Sequence, residues 1–100
     1  MQANATFSTL SYTDCAEYLR LTEVSQSDIG TLNQLLAIGR DYIKHFTGRT
    51  ENELDGCNDI NIVLMILVQD MWDNRTLYVD SENLNKVVES ILNLHSVNLL

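Results

Sequence analysis

The chain has 100 residues, 45% of them apolar, with fourteen Asp and Glu against six Lys and Arg and a formal net charge of −8. A chain this size forms one domain around a modest core, burying roughly 60–65% of the surface its unfolded form exposes. The acidity, with a pI near 4.4, argues against gripping nucleic acid, which needs a basic patch.

The six cations stand at positions 20, 40, 44, 49, 75 and 86 and do not cluster. The opening "MQANATFSTLSY" has no positive n-region and no long apolar run, so no signal peptide is expected. The longest apolar run, Ile62 to Val68, is far short of the ~20 residues of a membrane span. Cys15 and Cys57 are too few for a disulfide scaffold and suit a reduced intracellular protein. N-x-T matches at Asn4 and Asn74 carry little weight without secretion.

No proline or low-complexity linker interrupts the chain. It reads as a single helical domain over 1–100, with an extended leader over 1–10 and a tail over 95–100. A short first helix is expected over 13–21, behind Ser11 or Thr13 as N-cap. "TEVSQSD" then makes a polar turn. A second helix is expected over 28–46 behind Ser27, with Ile29, Leu32, Leu36, Gly39, Ile43 and Phe46 as one apolar stripe. Gly48 stands where a left-handed glycine closes a helix. "RTENELDGCND" reads as the longest loop, with Asn58 or Asp59 capping a third helix over 59–74. A fourth over 81–94, behind Asp80 or Ser81, carries Leu84, Val87, Val88, Ile91 and Leu92. The fold class expected is all-α, a compact bundle of about four helices.

The third helix is too apolar for one face. At ~100° per residue, Ile60, Val63, Leu64, Leu67, Val68 and Met71 share one side. Ile62, Met65 and Ile66 fall on the other, with Asn61, Gln69 and Asp73. A helix apolar all round is buried all round. Either it is the central rod, covered behind by the first helix with Phe7, Leu10 and Tyr12, or its back face meets another subunit.

Reaction chemistry is missing. Glu51, Glu53, Asp55 and Gly56 resemble the start of a calcium loop, but the twelfth position from Glu51 is Ile62, where a bidentate Glu is required. Cys57 has no C-x-x-C spacing, and neither His45 nor His95 has a histidine at i+4, so no zinc site is expected. No oxyanion-type turn flanks either cysteine, and there is no Gly-rich phosphate loop. Neither enzyme activity nor a cofactor is expected.

Four local patterns follow one another in order: a short helix ending "YLRL", a helix ending "DYIKHFTGR", an apolar helix ending "MWDNR", and a last helix closing with "ILNLHSVNLL". Over residues 11–100 the chain resembles the small helical head–tail connector (adaptor) proteins of tailed bacteriophages and prophages. The leader and the acidic "TENELDGCND" loop lie outside that likeness.

The resemblance implies a non-enzymatic, metal-free virion protein, assembled in the bacterial cytoplasm. Roughly a dozen copies would ring the underside of the portal protein, extend its DNA channel and dock a neck or tail-completion protein. Candidate subunit-interface residues are then Arg49, Ile62, Met65, Ile66, Trp72 and Arg75. The tail His95, Ser96, Val97, Asn98, Leu99 and Leu100 either folds back on the core or forms an arm that orders on the portal. Duplex DNA would pass an acidic wall without specific binding. Two other readings are a small acidic partner-binding or DNA-mimic inhibitor, which needs carboxylates in paired rows, and a subunit of another helical homo-oligomer.

Overall fold

The computed structural model describes residues 6–97, and among them all regular structure is helical. Five α-helices follow in order: α1 Tyr12–Tyr18, α2 Gln26–Thr47, α3 Glu51–Asp55, α4 Asn58–Asn74 and α5 Lys86–His95. A 3-10 turn, Ser81–Asn83, precedes α5.

Local chemistry sets the ends. Ser11 caps α1, and the Asp14 carboxylate reaches back to the Ser11 N–H at 2.9 Å. The helix stops at Tyr18, short of the expected residue 21, because Arg20 turns left-handed at φ 58. The Leu21 N–H then donates to Ala16 O at 2.9 Å, closing a Schellman turn. Helix α2 starts earlier than expected, behind Ser25, whose hydroxyl accepts from the Asp28 N–H at 3.1 Å. Gly48 closes it left-handed at φ 70, as its sequence position suggests.

The acidic segment is no open loop: Thr50 and Glu53 form a capping box that starts α3. Cys57, in place of Asn58 or Asp59, is the N-cap of α4. The expected 81–94 helix is interrupted at Leu84 and restarts behind Asn85, whose side chain accepts from the Val87 N–H at 2.8 Å. Nor does the described part of the leader extend. Residues 6–10 form a turn with Phe7 and Leu10 buried, held by Arg40, which donates to Phe7 O and Leu10 O. Residues 1–5 lie outside the described residues.

Helix α4 is the central rod. Seven of the eighteen buried hydrophobic residues belong to it, and it packs on α1, α2 and α5. On the helical wheel its buried residues run from Val63 through Ile60 to Met65, an arc of about 200°. The remaining arc holds Asn58, Ile62, Gln69, Asp70 and Asp73. Gly39 lets α2 approach closely, since a Cβ there would meet Leu64 Cδ1 at 2.8 Å.

Met65 therefore leaves the set of surface candidates. It is 1% exposed and joins the core cluster, whereas Ile62 is 48% exposed. Met65→Glu buries an uncompensated charge and is expected to cost 3 kcal/mol or more, on the order of the domain's whole stability. Ile62→Glu is expected to cost less than about 1 kcal/mol. Chemical denaturation of the two variants checks the pair.

Candidate interaction surfaces

The end of α2 and the end of α5 meet in a latch. Gly48 turns the chain so that Arg49 points back across the bundle, where its Nε donates to His95 O and its Nη1 lies 3.2 Å from Glu53 Oε2. The Val97 N–H donates to Thr47 O at 2.8 Å, and the Ser96 hydroxyl donates to Phe46 O at 3.4 Å. His95 Nε2–H bridges both Asp59 carboxylate oxygens at 2.9 Å. The tail is thus anchored through Val97, and His95 is the last residue of α5, not the start of an arm. Asn98, Leu99 and Leu100 lie outside the described residues.

The acids of the 51–59 segment are each engaged within the chain. Glu51 lies 3.4 Å from Lys44 Nζ, Glu53 meets Arg49, and Asp59 holds His95. Asp55 accepts from both the N–H and the hydroxyl of Ser8, each at 2.8 Å. Paired rows of free carboxylates, which a DNA mimic requires, are not built here. The Thr50 N–H and hydroxyl, followed by Arg49, hold the Glu53 carboxyl below its ordinary range.

Among the described residues two apolar areas are exposed. Helix α5 runs antiparallel to α4, because its last residue meets the start of α4. Val88 and Leu92 point into the core, and Glu89 lies towards Tyr42 of α2, whose hydroxyl burial and that carboxylate raise. Val87, Ile91 and Leu94, at i, i+4 and i+7, consequently flank α4. Beside them on the solvent arc of α4 are Ile62 and half-buried Ile66. Val87 is 58% and Leu94 75% exposed. Together they make an exposed apolar strip along α5 and the adjoining face of α4.

The second area is a cleft of about 150 Å³ between the first half of α2 and the segment after α4, lined by Thr31, Leu35, Met71, Trp72, Arg75 and Leu77. Trp72 is half-buried against the core, and the Arg75 guanidinium lies 5.4 Å from its ring centre, a cation–π contact. Leu77 and Tyr78 are exposed beside it. Trp72 lies about 100° round α4 from Ile62 and Ile66, and the α5 strip lies beyond those two. The areas therefore do not overlap. Sequence reading singled out Trp72 and Arg75 but missed Leu77, Val87 and Leu94 as surface residues. The signal available for Val87 and Leu94 was their i, i+7 spacing.

The nucleophiles sit apart from these surfaces. Cys15 is fully buried, and desolvation, with the neighbouring Asp14 charge, pushes its thiol up to about 12. Cys57 Sγ donates to Glu53 O at 3.7 Å, and His45 Nδ1 lies 2.9 Å from Asp41 O at the end of α2. Among the described residues no three His, Cys, Asp or Glu side chains come together as a metal site, and no helix is long and apolar enough to cross a membrane. Comparison with protein-family models, curated proteins and solved structures finds no match for this chain.

Arg49→Ala is expected to speed amide exchange at Val97 about tenfold while leaving α4 amides unchanged, the loss of one charge-assisted bond. Hydrogen exchange followed by NMR reads both. The Glu53 shift has a definite sign. A lowered carboxyl contributes stability at pH above its unfolded value and loses it as pH falls through the folded one. Thr50→Val is expected to move the Glu53 titration midpoint up towards the ordinary glutamate range and to flatten the acid-side loss of α3 order, both followed by NMR titration.

Proposed function

We propose that this chain is a head–tail connector of a tailed bacteriophage or prophage. Copies of it form a ring beneath the portal, extend the DNA channel and offer a docking surface to a neck or tail-completion protein. The observation that carries this reading is a pair of separate apolar areas on one small acidic bundle, beside a tail end fixed at Val97. The order of "YLRL", "DYIKHFTGR", "MWDNR" and "ILNLHSVNLL" supports it through the family resemblance.

The work is recognition and assembly, without chemistry or cofactor. Each copy buries apolar surface against its neighbours, and ring symmetry multiplies contacts that are weak singly. A net charge of −8 per chain, repeated about a dozen times, puts on the order of −100 charges around the conduit. A duplex then slides past a repelling wall without sticking. The portal contact falls to residues 98–100 with the Val97 edge of the latch. The acidic-inhibitor reading loses ground because the 51–59 carboxylates have partners within the chain.

Size exclusion with light scattering, run beside the cognate portal ring, tests the reading. The full chain is expected to co-migrate at about one copy per portal subunit. Ending the chain at Val97 should abolish attachment with thermal stability unchanged. Ending it at Leu94 should also remove the latch and lower stability by about 1–3 kcal/mol. A chain that stays unattached beside an intact portal overturns the proposal.

A further inference from the structure

We infer that the two uncovered areas are the two halves of one contact, in which Leu94 of one copy seats in the Leu35–Trp72–Leu77 cleft of the next. The inference rests on the ring reading and specifies how its copies touch. Leu94, at 75%, is the most exposed of the large hydrophobic side chains among the described residues, and the cleft of about 150 Å³ has room for one branched aliphatic group.

Charge selects the pairing. The strip around Ile62 and Leu94 is bordered on α4 by Asp70 and Asp73, with Lys86 as the cation at its α5 end. The cleft carries Arg75 at its rim. No carboxylate of the described residues forms a salt bridge with that guanidinium, which lies over the Trp72 ring. Strip against strip sets acid against acid, whereas strip against cleft brings Arg75 to the acidic border.

The backbone at Arg75 points the same way. It closes α4 left-handed at φ 56, a conformation glycine adopts at no cost and a side-chain-bearing residue at about 1 kcal/mol. An arginine held there keeps a cation at the cleft that a glycine would forgo. Knob and cleft are different surfaces on different sides of α4, so the contact we infer is the head-to-tail kind, repeated from copy to copy, that a ring uses.

Sedimentation velocity from about 10 μM to 1 mM, without portal, tests this contact separately from portal binding. The wild-type chain is expected to form species beyond the dimer. Leu94→Asp and Leu77→Asp, both at exposed positions and checked for folding by circular dichroism, should each remain monomeric. Their equimolar mixture retains one intact knob and one intact cleft and should give a 1:1 dimer and nothing larger. Arg75→Gly should fold at least as stably as wild type while self-associating at least about tenfold more weakly. Leu94→Asp assembling like wild type, a mixture that stays monomeric, or wild type monomeric to 1 mM each overturns the contact. None of those outcomes touches the portal reading, which fails only in the portal experiment.

Discussion

Helix α4 carries more apolar surface than one partner helix can cover, and the rest of the molecule is arranged around that excess. Its buried arc of about 200° needs neighbours on several sides. Helix α2 supplies the longest, brought close by Gly39. Helix α5 supplies Val88 and Leu92, and the first turn of the described chain adds Phe7 and Leu10 to the same core. Full burial of each such side chain is worth about 1.5–3 kcal/mol, so a bundle this small is held chiefly by this one rod and the elements wrapped on it.

The polar contacts then fix where the wrapping elements end. Arg40 holds the 6–10 turn, and Asp55 ties the same turn to α3 through Ser8. Arg49 and Asp59 hold the last turn of α5 from two sides. These pairs turn a strongly acidic chain into one whose carboxylates partly serve its own fold. They also fix the chain as far as Val97, which is bonded to Thr47. Among the described residues the apolar surplus remains outside in two places, beside α5 and behind the end of α4, and it is this two-sidedness that suits repeated assembly.

Much of the architecture was legible in residue patterns. The stripe from Leu32 to Ile43, the left-handed Gly48 and the central role of the 60–71 run follow from periodicity and turn chemistry. The α3 helix was missed although Thr50 and Glu53 spell its capping box, because five residues in a polar stretch give no apolar period. The early stop of α1 depends on Arg20 adopting a conformation that its residue type disfavours. Met65 fell on the wrong side because a wheel shows which residues share a face, not how wide an arc the neighbours cover. The latch joins residues 36 to 50 positions apart, such as Asp59 with His95 and Phe46 with Ser96, and no local pattern announces such pairs.

Native mass spectrometry of the cognate portal incubated with excess chain counts the copies that attach. A head–tail connector gives one dominant added mass, equal to one chain for every portal subunit, with partly filled rings scarce because each copy stabilises the next. A portal whose mass is unchanged, or one that carries a broad spread of a few chains, contradicts ring assembly on the portal.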